Sequence, residues 1–183
     1  MKLLGERISI VKKQNLLSIV ILATNDKRKL ALMFLWLLAW SVCGVIVIIN
    51  YFQITNEKAK LFLIIYLSFW AYFEVSIIRS FIWRKYGKEK IWIKDGTFHY
   101  QREINGKGKI KTYMPDLIRE FKILDVRPGN LMDSLSQSFW VRGGERLEFM
   151  HQTKIQRFGM QISDEQARNL FNEIRDFLSG LNK

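Results

Sequence analysis

Cysteine, histidine and proline are scarce in this 183-residue chain, which has one Cys, two His and two Pro. The single Cys43 excludes an intramolecular disulfide and a cysteine metal cluster, and it reads as a small packing residue. His99 and His151 stand in no HExxH or CxxC-type spacing, so neither a metal nor a cofactor is expected. Asp133, Ser134 and Ser136 lack a nearby histidine to complete a nucleophilic set. The glycines of INGKGK, residues 104–109, miss the phosphate-loop spacing and join two strands. No catalytic residue is named, and an enzyme is not expected.

Charge is missing over two long stretches. Residues 30–52 carry none, and residues 61–83 carry only Glu74 and Arg79. At 1.5 Å per residue each run covers roughly 34 Å, enough to cross a ~30 Å hydrocarbon layer with modest tilt. A cleaved signal peptide has a shorter apolar core nearer the N-terminus and no second span behind it. The sequence therefore predicts a transmembrane hairpin, residues 27–85, closed by the eight-residue loop QITNEKAK.

Acidic residues are the scarcer sign, 17 against 29 Lys and Arg, for a net charge of +12. That charge divides into +5 for residues 1–29, +1 for the loop, zero for the spans and +6 for residues 84–183. Basic residues crowd the outer ends of the spans, with Lys27, Arg28 and Lys29 before the first and Arg84, Lys85, Lys88 and Lys90 after the second. The positive-inside rule then places both termini in the cytoplasm. Tyr51, Phe52, Trp83 and Tyr86 fall where an aromatic belt belongs. Anionic lipid explains the charge distribution at ~1 kcal/mol per nearby basic residue. Nucleic acid is not expected, because zinc-finger spacing, glycine-aromatic RNA motifs and a dense basic helix are all absent.

Charges inside a span mark a protein interior, a cavity or a partner. Arg79 lies close enough to the basic end to snorkel. Glu74 is deeper, and five positions put the two roughly 140° apart on a helix, a poor geometry for pairing. Either Glu74 bonds Ser41 or Asn50 of the first span, or it meets a cation on another subunit; Glu74, Arg79 and Asn50 are the expected intramembrane partner contacts.

Outside the spans the period changes. GERISIVKK and NLLSIVILA alternate as two short strands in residues 1–26, turning at KKQN. Seven further strand-like segments follow in residues 86–183: KIWIK, TFHYQRE, GKIKTYM, LIREFKI, SQSFWVR, ERLEFMH and KIQRFGM. Asp95-Gly96, Asn105-Gly106 and Gly143-Gly144 supply tight-turn chemistry. Residues 125–136 read as the longest loop. Ser163 to Gln166 form a capping box before an amphipathic helix with Ala167, Leu170, Phe171, Ile174, Phe177 and Leu178 on one face, and Gly180 is its expected stop.

Strands closed by one C-terminal helix follow the pleckstrin-homology order. The strand ILAT with NDKRK leading into FLWLLAW carries a resemblance, as do the block GKEKIWIKDGTFHYQREINGKGKIKTY with Arg102, Gly106, Gly108 and Tyr113, and RFGMQISDEQARNLFNEI. On these residues the chain resembles small bacterial inner-membrane proteins with a two-helix hairpin and a pleckstrin-homology-like domain. Glu74 and Arg79 in the second span, and the longer MHQTKIQ, depart from the pattern. The resemblance implies a membrane α+β fold: a hairpin plus an antiparallel β-sandwich or barrel of about seven strands, capped by a C-terminal amphipathic helix.

The expected role is a non-catalytic accessory or assembly subunit of a bacterial inner-membrane complex, with other membrane subunits or further copies of the chain as partners. The alternative is a membrane-surface module sensing anionic lipid or a peptide through the basic hairpin or a sheet edge. Head-group contacts are expected from Arg84, Lys85, Lys88, Arg102, Lys107, Lys109 and Lys111.

Overall fold

A computed structural model describes residues 2–23, 26–124, 140 and 142–181. The order begins β1 (Lys2–Leu4), β2 (Ile8–Lys13), β3 (Leu16–Leu22), α1 (Lys27–Gln53), α2 (Glu57–Tyr86), β4 (Gly87–Lys94) and β5 (Thr97–Ile104). It continues with β6 (Ile110–Tyr113), a 3₁₀ turn at Pro115–Leu117, β7 (Ile118–Ile123), β8 (Glu145–His151), β9 (Lys154–Met160) and α3 (Asp164–Leu181). Of the seven segments expected after the hairpin, six are strands. The seventh, SQSFWVR, lies outside the described residues except for Trp140 and Arg142, which are in a turn and a bend. The loop expected at 125–136, with Asp133, Ser134 and Ser136, lies wholly outside them.

Among the described residues the nine strands form two antiparallel sheets and not a closed barrel, β1 to β6 in sequential order and β7-β8-β9. Residues before and after the hairpin share the larger sheet. β3 pairs with β4 from Leu16 opposite Lys94 to Leu22 opposite Lys88, so α1 and α2 are inserted between two hydrogen-bonded neighbours. Asp95-Gly96 and Asn105-Gly106 form the tight turns, with φ of 49° and 70° in the first and 48° and 79° in the second.

Alternation sends every second side chain of these strands inward. Ile8, Ile10, Leu17, Ile19, Ile21, Ile91, Ile93, Phe98 and Tyr100 from the larger sheet meet Leu147, Phe149 and Phe158 from the smaller one in a single core. α3 covers that core with Ala167, Leu170, Ile174 and Phe177. Its N-terminus carries the expected capping box: Gln166 N donates to Ser163 Oγ (3.2 Å) and Ser163 N donates to Gln166 Oε1 (3.0 Å). The helix runs one residue past Gly180.

One buried acid joins the sheets. Glu89 on β4 is 1% exposed. Its Oε1 accepts from Tyr100 Oη at 2.6 Å and Arg102 Nε at 3.2 Å, and its Oε2 accepts from the β9 amides of Gly159 and Met160 at 2.8 and 3.0 Å. Arg102 extends the link to Glu145 Oε1 at 2.8 Å. Burial, and then the negative charge of Glu89, push the Tyr100 hydroxyl well above its ordinary pKa, which keeps it a donor.

α1 and α2 follow the opposite rule. Their only buried residues are Met33 and Gly44 in α1 and Glu74, Ser80, Trp83 and Arg84 in α2. Leu35, Phe52, Phe62, Phe69 and Tyr72 are exposed. Both helices are long and apolar enough to cross a membrane.

Two outcomes test this architecture. Joining Ala23 to Gly87 through a two-residue Asn-Gly turn should give a soluble domain that unfolds cooperatively by circular dichroism, because Ala23 N already donates to Gly87 O (3.1 Å). Residues 86–183 alone lack the core contribution of β1 to β3 and should show no cooperative transition. In the joined domain, Glu89→Ala leaves two β9 amides, Tyr100 and Arg102 without their acceptor. Chemical denaturation should show a loss of about 3–5 kcal/mol.

Candidate functional site at the base of the hairpin

The second helix of the hairpin meets the larger sheet without a linker. Tyr86 ends α2 and Gly87 begins β4. A Cβ at Gly87 would lie 2.4 Å from Trp83 O and 2.5 Å from the Trp83 ring, so the close approach requires glycine. Trp83 is buried with Ala23 and Met160, against which Ile104 packs. Where β3 leaves the sheet, the Arg7 guanidinium donates to Leu22 O and Ala23 O at 2.9 Å each, to Gln161 O at 2.8 Å and to Met160 O at 3.3 Å. Burial lowers the Arg7 pKa from its ordinary value and nearby Glu89 opposes that shift. Asp26 then caps α1 by accepting from Lys29 N at 3.0 Å.

The two helices touch through small and polar residues. Gly44 lies flat against Trp70, where a Cβ would come within 2.1 Å of the ring. Trp70 Nε1 donates to Trp40 O at 3.3 Å. One turn of α2 further on, Glu74 is 9% exposed and its Oε1 lies 2.5 Å from Ser41 Oγ. Of the two alternatives for Glu74, the structure therefore brings it to Ser41. Its Oε2 has no hydrogen-bond partner among the described residues. Asn50 donates instead to Ile46 O of its own helix at 2.8 Å. Glu74, Asn50 and Arg79 are not brought together, and Glu74 faces Ser41 of α1.

The seven expected head-group residues do not make one patch. Arg84 is 4% exposed and donates to Ala23 O at 3.5 Å. Lys88, at 3.0 Å, and Lys90 hold Glu103. Arg102 is taken up by Glu89 and Glu145, and Lys111 donates to Gln156 Oε1 at 2.9 Å. Lys85 lies 5.0 Å from the Tyr86 ring centre. Lys107 and Lys109 remain exposed in the β5–β6 turn. The partners Glu89, Glu103, Glu145 and Gln156 lie on β4, β5, β8 and β9.

A different pair of cations shares a cleft. Arg79 on α2 and Arg142, just before β8, line an open cavity of about 590 Å³ with Ser76 and Ser80. The Arg142 guanidinium sits 5.6 Å over the Trp83 ring. Two residues earlier, Trp140 meets Trp36 of α1 edge-on at 5.2 Å, and Trp36 stacks on Trp40 at 5.3 Å. Sequence reasoning missed Arg142, which it placed in a strand. Its one local signal was the neighbouring tryptophan. Among the described residues no three potential metal ligands cluster. Compared with family models, curated proteins and solved structures, the chain shows no match.

The acids held by these bases set an acid limit. Lys90, then Lys88, hold the Glu103 carboxyl below the usual carboxylate range; Arg157 does the same for Glu148, and Lys2 for Glu173. Folded-state values below the unfolded ~4.3 mean that the contribution is complete above that pH and is lost as pH falls through the lowered values. Denaturation of the joined domain between pH 6 and pH 3 should show stability falling below about pH 4.3. Glu103→Gln should flatten that fall.

Proposed function

We propose that this protein is a non-catalytic accessory or assembly subunit of a bacterial inner-membrane complex, with both termini cytoplasmic and a pleckstrin-homology-like sandwich held on the inner face. The insertion of the hairpin between the paired strands β3 and β4, with α2 running directly into β4, carries this reading. A tethered effector works through a long flexible connection, whereas here α2 runs into β4 with no residue between them. That property suits a part that sets the position of its neighbours. The inside-out burial of α1 and α2, with Glu74 and Ser80 inward and Phe62, Phe69 and Tyr72 outward, supports lipid as their solvent. Basic residues at the outer ends of both helices support the orientation.

The alternative, a surface sensor using the basic β5–β6 hairpin, has less behind it. Arg102 and Lys111 already serve internal partners, which leaves Lys107 and Lys109.

Purification of the full chain in mild detergent should recover a second membrane subunit at fixed stoichiometry. The joined domain without residues 24–86 should lose that subunit if the helices carry the contact and keep it if the sandwich does. A monomer or homodimer with nothing attached sinks the proposal.

A further inference from the structure

We propose that Arg79 and Arg142 form the phosphate seat of a bound anionic phospholipid whose acyl chain runs down α2. The cleft that they share is graded. The two guanidinium groups stand with Ser76 and Ser80 toward the sandwich, and the wall continues past Val75 and Tyr72 to Ala71. From Arg79 to Ala71 the helix advances about 12 Å, from the head-group level into the hydrocarbon. A polar mouth above an apolar floor matches an amphiphile better than it matches a soluble anion.

Neither cation meets an acid among the described residues. Among the described residues neither Arg79 nor Arg142 forms an ion pair, although Arg7, Arg84 and Arg102 nearby are all engaged by carbonyls or carboxylates. An arginine held near the edge of an apolar segment needs an anion, and at that depth phosphate is the anion present. The planar guanidinium fork fits phosphate oxygens in pairs.

The seat is also built from both parts of the molecule. α2 delivers Arg79, while the segment entering β8 delivers Arg142, held over Trp83 and next to Trp140 on Trp36. Tryptophan is at home at the membrane interface, which sets the depth of the cleft. A lipid in this seat would bridge the helices and the sandwich.

The inference rests on the membrane placement of the hairpin and not on a partner subunit. The full chain, reconstituted in phosphatidylcholine vesicles, reports on the cleft through tryptophan quenching by brominated lipid. Brominated phosphatidylglycerol should quench at a low mole fraction, well below that needed for brominated phosphatidylcholine. Arg79→Gln or Arg142→Gln should raise the required fraction about tenfold, the loss of one charge-assisted contact. Arg142→Lys, which keeps the charge and loses the fork, should fall between. Lys107→Gln with Lys109→Gln removes twice that charge elsewhere and should change nothing; an equal effect from this pair overturns the seat. Equal quenching by the two lipids overturns it as well, as does full displacement by inorganic phosphate, which would assign the cleft to a soluble anion. Protein that leaves the vesicles without detergent overturns the membrane placement itself, a separate failure.

Discussion

The pairing of β3 with β4 is the constraint from which the rest of the molecule follows. Seven residue pairs in register, from Leu16–Lys94 to Leu22–Lys88, hold the end of β3 and the start of β4 one strand spacing apart, about 5 Å. Two helices leaving from adjacent strands must run side by side, so a flat contact between them is required from the outset. Gly44 against Trp70 meets that requirement, because only a residue without a side chain lets the indole lie on the backbone of α1. At the other end, Gly87 lets Trp83 fold back onto the junction. The Arg7 guanidinium binds the carbonyls of Leu22 and Ala23, which the ladder leaves unpaired as the strand turns away.

The same ladder couples the hairpin to the deeper core. Glu89 sits on β4 two residues after Gly87, and its carboxylate reaches β9 in the second sheet. Force on α2 therefore passes into both sheets within one turn's length of chain. The chain reverses its rule of burial across Gly87: apolar side chains point in from the strands and out from the helices. Glu74 and Ser41 meet between the two helices, whereas Ile91 and Ile93 lie in the core between the sheets.

What could be read from the sequence was local. The helices, the alternation of Ile8 and Ile10 or Ile91 and Ile93, the Asp95-Gly96 turn and the capping box at Ser163 are written within a few residues of where they act. The Glu74–Ser41 contact was open as one of two alternatives, since the hairpin geometry limits which residues face each other. The partners of charged strand residues were not legible. Alternation puts Arg102 and Lys111 on the inward face with Tyr100 and Tyr113 but does not give their partners, since Glu145 and Gln156 come from strands 43 and 45 positions away. Arg7 carried no signal, because its four acceptors are backbone carbonyls that any sequence possesses. Arg142 converges on Arg79 only once the smaller sheet has docked.

Inserting a long segment between neighbouring strands raises the question of how they find each other. Closing a flexible loop of some sixty residues costs about 4 kcal/mol in chain entropy. Here the loop is not flexible: α1 has 27 residues and α2 has 30, so at 1.5 Å per residue the outward and return paths differ by only about 5 Å. Once the helices pack, Ala23 and Gly87 are already side by side and the ladder can close as if across a tight turn. Near-equal helix length is thus a folding requirement. Lengthening α2 by a full turn, without α1, would raise that difference to about 10 Å, well beyond a strand spacing, and break the register on which Arg7, Trp83 and Glu89 depend.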